Sequence, residues 1–344
     1  MNLPIPYPLP PAEAKQVERI PDGAGWCYEP KWDGFRCLVF RDGDEVLLQS
    51  KACKPLERYF PEVAAAMHSL GARRFVLDGE LIVPIDGTPS FEQLLQRIHP
   101  AASRVNRLAT EHPAIFVAFD LLLAERGDAL LELPFRERRA RLESFAGRYL
   151  GAGSGTHLSP QTTERDRAEQ WLKDGRTGLD GVVAKLLDAP YASGARTTMQ
   201  KIKRIRTVDC VVGGFRYGSK TQTVGSLLLG LYDEDGLLHH VGFTANIPRD
   251  DREALTRELE ALREPPGFTG RAPGGPSRWS TERSAEWVPL RPTLVVEVSY
   301  DHFSEGRFRH GTSFQRWRPD KAPEQCTFDQ LARGDRSPLE LLDS

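Results

Sequence analysis

The residues most able to do chemistry begin with one lysine. In Tyr28-Glu29-Pro30-Lys31-Trp32-Asp33-Gly34-Phe35-Arg36, Lys31 stands in a tight polar turn just ahead of a strand-like run, Phe35 to Phe40. Tyr28, Pro30 and Trp32 surround it, and an aromatic, partly dry setting disfavours the ammonium form and lowers a lysine pKa. An unprotonated lysine is a nucleophile. Asp33 is placed to orient it, Arg36 offers a forked guanidinium to phosphate, and Gly34 allows a backbone geometry that a side chain would block. An isolated K-x-D-G is more often a surface lysine in a hairpin turn, because four-letter matches are common by chance.

Downstream stretches change that balance. Asp78-Gly79-Glu80 lies inside an apolar strand, Phe75 to Val83, and the two-residue period puts both carboxylates on one face. Phe119-Asp120 falls in the apolar run Ala114 to Leu123, and Asp180 precedes Gly181-Val182-Val183-Ala184-Lys185. Carboxylates are rarely buried in such strands without a partner. In Gln200-Lys201-Ile202-Lys203 the two lysines alternate and so share a face, and with Arg196, Arg204 and Arg206 they form an acid-free basic cluster. A second basic stripe, Arg307, Arg309, Arg316, Arg318 and Lys321, surrounds Arg316-Trp317-Arg318-Pro319-Asp320-Lys321. Phosphate contacts of this type give sequence-independent affinity for nucleic acid.

The elements that must hold these residues follow from pattern. A hairpin is expected over 35–49 with its turn at Asp42-Gly43-Asp44. Helices are expected over 56–68 (started near Pro55), over 91–98 behind a Ser90 cap, over 134–149 with Pro134 at its start, and over 163–173. Past Lys203, strands at 208–217, 226–233, 237–244 and 293–300, with a helix at 249–262, make an OB-fold pattern. Two glycine-rich runs are decoys. Gly151 to Gly155 leads into no G-K-[ST], and Gly213 to Lys220 carries Ser219 and Lys220 in the wrong order for a phosphate loop.

Length 344 suggests two domains. The net charge of −2 gives no global basic field, so any polyanion site is local. Five scattered cysteines without a C-x-x-C pair indicate neither zinc nor a disulfide framework and fit a reducing cytoplasm. No apolar run approaches the ~20 residues of a membrane span.

Taken in order, these six motifs resemble the covalent nucleotidyltransferase superfamily, with ATP-dependent DNA ligases, RNA ligases and mRNA capping enzymes. The resemblance covers about Trp26 to Lys321 and is nearest to the short bacterial ligases of the DNA ligase C type. It implies an α+β fold: an extended arm over 1–25 carrying little chemistry, an adenylation domain of antiparallel sheets with helices over 26–204, and an OB-fold β-barrel domain over 205–344. It implies that Lys31 attacks the α-phosphorus of ATP. Glu29 accepts from the adenine amino group, Phe119 and Val183 sandwich the base, and Lys201 and Lys203 hold the AMP phosphate. Glu80 and Asp180 are matched to Mg²⁺ (or Mn²⁺), with Asp180 standing where the family has Glu. Lys51 stands where ligases carry Arg and is expected, with Arg204 and Arg206, on DNA. Arg316, Arg318, Asp320 and Lys321 are matched to the departing pyrophosphate. They reach the chemistry only if the second domain folds over the nucleotide pocket about a hinge near Arg204–Thr207. The expected activity is sealing of nicked duplex DNA, in repair, by a cytoplasmic monomer with repair proteins as partners. The alternative is an RNA ligase or a capping-type nucleotidyltransferase.

Overall fold

The computed structural model describes residues 1–173, 179–219, 221–247, 252–274, 286–304, 306–309, 311–331 and 337–342. The chain divides into two units, Met1–Arg204 with Arg333–Ser344, and Ile205–Ala332. The first unit runs β1 (Ala14–Val17), β2 (Trp26–Pro30), β3 (Phe35–Asp42), β4 (Glu45–Ser50), α1 (Pro61–Ser69) and β5 (Arg74–Ile82). A short hairpin follows, β6 (Pro84–Ile85) and β7 (Thr88–Pro89), then α2 (Phe91–Arg97), α3 (Ala102–Glu111) and β8 (Ile115–Leu123). It continues with α4 (Phe135–Tyr149), β9 (Thr156–Leu158), α5 (Arg165–Lys173), β10 (Gly181–Leu186) and β11 (Met199–Lys203).

These strands make two main sheets, β4-β3-β5-β8-β9 and β1-β11-β10-β2. Both are antiparallel except for one parallel edge pair each, β8 with β9 and β1 with β11. The first sheet packs the apolar faces of β3, β5 and β8 against α1, α2 and α4, burying Phe60, Met67, Phe75, Phe116, Leu142 and Phe145. Each such side chain contributes about 1.5–3 kcal/mol on burial. A smaller core under the second sheet gathers Tyr28, Trp32, Trp171, Val182 and Ile202.

Several elements depart from the sequence expectation for identifiable reasons. The helix expected over 56–68 begins at Pro61. A proline tolerates the first helical turn, where its missing N–H is not needed, and would break the interior. Ser90 does cap α2, accepting from Gln93 N at 3.4 Å. Helix α3 was not anticipated; its apolar face is only Val105, Leu108 and Ala109 on an otherwise polar segment. The arm expected over 1–25 is part of the first unit, since its residues 14–17 add strand β1 to the second sheet.

The second unit contains β12 (Arg206–Tyr217), β13 (Val224–Tyr232), β14 (Leu238–Thr244), α6 (Arg252–Ala261), β15 (Val288–Pro289), β16 (Val295–Tyr300), β17 (Phe303–Ser304), β18 (Arg307–Phe308) and β19 (Ser313–Trp317). Its main sheet has the order β14-β13-β12-β16-β19, with β15 paired to β12. The ladder does not close into a full barrel; an isolated bridge between Thr244 and Thr312 joins the two edges. Five antiparallel strands in a partly open barrel are compatible with an OB-fold. The glycine run that imitates a phosphate loop is mostly strand, Gly213 to Tyr217 of β12, and Lys220 lies outside the described residues. The start of the helix expected over 249–262 also lies outside them.

One segment sits elsewhere than expected. Residues 337–342 fall with the first unit and not with the C-terminal domain. Leu339, Leu341 and Leu342 pack against the core that holds Tyr28 and Trp32. No described helix is long and apolar enough to cross a membrane.

Candidate active site

The register of the second sheet builds one wall of the site. Glu29 of β2 stands opposite Val183 of β10, and Val183 opposite Lys201 of β11, so three side chains form one row across three strands. Two residues further along the same face of β10 is Lys185. Arg36 of β3 and Glu80 of β5 pair in the first sheet, and Phe119 comes from β8. Together with Lys31, Trp32, Lys51 and Met199 they line a cavity of about 210 Å³, closed on one side by Pro11, Ala12, Glu13 and Ala14. The N-terminal arm, expected to carry little chemistry, is therefore a wall of the pocket. Its Glu13 pairs with Lys51 at 3.0 Å and with Arg196 at 2.9 Å.

Two glycines fix the turn that carries Lys31. A Cβ on Gly34 would collide with Leu81 O and approach Glu80 Cγ at 2.8 Å, so the turn crosses β5 too closely for any side chain. Gly181 has φ +148° and a Cβ there would strike Ile202 O. The Lys31 N–H donates to Gly181 O at 2.9 Å, and Asp180 N–H donates to Lys31 O at 3.2 Å. This backbone lock brings together residues 149 apart, and the Lys31 Nζ bonds Asp180 Oδ2.

That ion pair overturns the expected protonation of Lys31. Burial is the largest single influence and does favour the neutral amine, but Asp180, then Glu80 and Asp33, together outweigh it. The Lys31 pKa is raised, so without a nucleotide the residue is an ammonium ion. Asp180, not Asp33, bonds its Nζ.

Arg36 also differs from expectation. Its guanidinium is committed to Asp78, Nε to Oδ1 and Nη2 to Oδ2, both at 2.6 Å, and it lies 4.4 Å from the centre of the Phe119 ring. Asp78 is completed by the Tyr191 hydroxyl at 2.6 Å. The fork expected to read phosphate instead braces the floor of the pocket. Asp120 is likewise structural, paired with Arg138 at 2.9 Å.

At the far end, Glu29 is 2% exposed and holds Lys185 Nζ at 2.9 Å. Burial raises the Glu29 pKa, while Lys185 and Arg139 oppose that rise. Lys185 also donates to Phe119 O at 3.1 Å. Sequence reasoning quoted Lys185 within a motif but gave it no role, although the two-residue period from Val183 places it on the same face.

Among the described residues no hydrogen bond or ion pair holds Glu80. Burial, ahead of opposing Arg36 and Lys31, pushes its pKa up to about 7. The described residues contain no cluster of three ligating side chains. Mg²⁺ needs none, since it is held by one or two carboxylates with waters and substrate phosphates. A carboxylate at Glu80 that no described residue bonds, with Asp180 beside Lys31, fits that donor set. Lys201 lines the same pocket, and burial, then the neighbouring Lys31 and Lys203, lower its pKa. Several cations facing one cavity, Lys31, Lys51, Lys185 and Lys201, suit a polyphosphate.

The C-terminal group is held within the second unit. Asp209 takes Arg318 Nη1 and Lys321 Nζ, each at 2.8 Å, and Asp320 takes Arg318 Nη2 at 2.8 Å. Arg318, first of all, pulls the Asp320 carboxyl down to about 2. Arg316 pairs with Glu297 at 2.6 Å, and Arg206 donates to Asp301 O at 3.1 Å.

A half-buried lysine paired with a buried carboxylate, in a cavity lined by further lysines, is an arrangement suited to phosphate chemistry, and the comparisons with known proteins say of which kind. A model described as "ATP dependent DNA ligase domain" matches residues 12–203, and one described as "ATP dependent DNA ligase C terminal region" matches 220–321. The chain belongs to the ATP-dependent DNA ligase family. It is 46% identical to DNA ligase C2 of Mycolicibacterium smegmatis, covering 96% of each chain, and 44% identical to DNA ligase C of Mycobacterium tuberculosis, covering 97% of this chain and 96% of that one. A solved Lig E DNA ligase structure covers 90% of this chain and 98% of its own at 17% identity and a TM-score of 0.50, a likeness of fold.

Proposed function

We propose that this ligase seals nicks in duplex DNA through three transfers centred on Lys31. Its amine attacks the α-phosphorus of ATP, forming a lysyl-AMP phosphoramidate and expelling pyrophosphate. The AMP then passes to the 5′-phosphate of the nick. The 3′-hydroxyl attacks that phosphate, AMP leaves, and a phosphodiester bond remains. The observation that carries this reading is Lys31, half-buried beside Asp180 in a cavity lined by Lys51, Lys185 and Lys201.

The first unit is the adenylation domain and the second the OB-fold domain. Glu29 beside Lys185 offers an acceptor next to a donor, complementary to adenine with its 6-amino donor next to the N1 acceptor. Guanine presents the reverse order at that edge. Phe119 and Val183 flank the base, and Lys201 with Lys203 holds the α-phosphate. Glu80 and Asp180 would hold Mg²⁺, which would supply charge neutralisation on the phosphates. Lys31 Nζ, an ammonium while bonded to Asp180, gives a proton up to solvent before it attacks, and loosening of the Asp180 contact lowers that cost. Arg316, Arg318, Asp320 and Lys321 act on pyrophosphate in the first transfer. Lys51, Arg204 and Arg206 contact DNA phosphates. A role in repair follows from the relatives named for it, non-homologous end-joining proteins of mycobacteria.

The test is intact-mass measurement after incubation with ATP and Mg²⁺. The wild-type chain gains one AMP, and Lys31→Ala gains none while keeping its thermal melt. An adduct of equal yield in that variant refutes the assignment.

A further inference from the structure

We propose that Arg139 is the positioning residue for the base-reading carboxylate of Glu29, and through it a determinant of adenine selectivity. This rests on the reading of Glu29 given above.

Arg139 projects from α4 and is 4% exposed. Two of its three nitrogens are pinned: Nη2 donates to Ser159 O and Nε to Glu143 Oε1, each at 2.8 Å. The third, Nη1, makes no hydrogen bond and lies 3.8 Å from Glu29 Oε1. Buried donors are seldom left without a partner, and here the unbonded corner of a fixed plane is directed at one carboxylate. Lys185 contacts both oxygens of that carboxylate, but it is a point charge on a flexible stem. A guanidinium held at two corners cannot follow a moving partner. When a base takes over one Glu29 oxygen, Lys185 has to shift, and Arg139 is the cation that stays in place. Its fixed charge, 3.8 Å from Oε1, keeps that oxygen from turning and so keeps it presented as an acceptor.

The anchor is shared with the nucleophile. Ser159, whose carbonyl holds Arg139, accepts the Trp32 indole N–H on its hydroxyl at 2.9 Å, and Trp32 follows Lys31 in the chain. One residue thus ties the base end of the pocket to the turn that carries the attacking amine.

The test uses the full-length protein and single-turnover formation of lysyl-AMP, with ATP and with purine riboside triphosphate, which lacks the 6-amino group. Arg139→Met is expected to raise the half-saturating ATP concentration about tenfold, leave the maximal rate within about threefold, and shrink the preference for ATP over the purine analogue by a similar factor. Arg139→Lys, which restores charge without the fixed plane, is expected to fall between. An unchanged preference in both variants overturns the proposal, as does a loss of maximal rate with no change in preference, the mark of general damage. If Arg139→Met does not fold, Arg139→Lys decides alone. Glu29→Gln separates the two levels of inference. If it leaves the preference intact, the base reading itself fails. If it abolishes the preference while the Arg139 variants retain it, only the role of Arg139 fails.

Discussion

Replacing Asp180 by Asn should make Lys31 more reactive as an amine even where it makes the enzyme slower. The two side chains are 6% and 21% exposed, so their ion pair lies between surface and interior. A hydrogen bond to a charged group is worth about 1.5–3 kcal/mol net, and each 1.4 kcal/mol is a factor of ten. Its loss therefore multiplies the neutral-amine fraction at a fixed pH by roughly 10 to 150. The sign follows from the opposing influences: burial already favours the neutral amine, and Asp180 is the foremost group holding the proton on. The assay is ATP-free reductive methylation from pH 6 to 10, followed at the Lys31 peptide by mass spectrometry with the peptide of the exposed Lys54 as internal reference. Wild-type labelling should climb only at high pH, the Asn variant should climb at lower pH, and Asp180→Glu should stay near wild type. Labelling of Lys31 in the Asn variant at or below the wild-type rate throughout, with an unchanged melt, would refute the reasoning.

Two further outcomes follow from the same geometry. Glu80 has a folded-state pKa of about 7 against an ordinary 4.5, so the folded chain binds the extra proton and stability falls as pH rises from 4.5 through 7, by about 3 kcal/mol in all. Glu80→Gln should flatten that slope in chemical denaturation at pH 5 and pH 8, and an unchanged slope would show that the carboxyl does not titrate as described. Arg318→Ala leaves Asp209 paired with Lys321; it should cut lysyl-AMP formation by about tenfold or more while sealing of a nick already carrying 5′-AMP changes by less than about threefold. A greater loss on the pre-adenylated nick would move this stripe from pyrophosphate to DNA.

Much of the pocket could be read from strand periodicity. Val183 and Lys201 fall in stretches the sequence marks as strands, but Glu29 lies in a stretch that reads as a turn, and only the observed pairing of β2, β10 and β11 places the three in one row. The same logic reaches Lys185, two positions on, and was not applied. What strand patterns cannot give is which carboxylate meets which cation across the fold. The sign of the Lys31 shift depends on Asp180, 149 residues away, and a local count of aromatic neighbours points the other way. Arg36 beside a lysine motif reads as a phosphate fork, and only the register of β3 against β5 brings Asp78, 42 residues on, within bonding reach. The N-terminal wall was missed because a proline-rich arm has no periodicity, and its four-residue strand gains its place from β11 alone.

The return of residues 337–342 to the first unit bears on how the protein can be dissected. In sequence the second unit is an insertion, entered at Ile205 and left at Ala332. A fragment cut at Arg204 would lack Leu339, Leu341 and Leu342, and would bare the part they cover of the core to which Trp171 and Trp32 belong. Trp32 adjoins the nucleophile, so such a fragment is not a minimal catalytic domain but one with a piece of its own core removed. A faithful excision would remove 205–332 and keep the terminal segment with the first unit in the same chain.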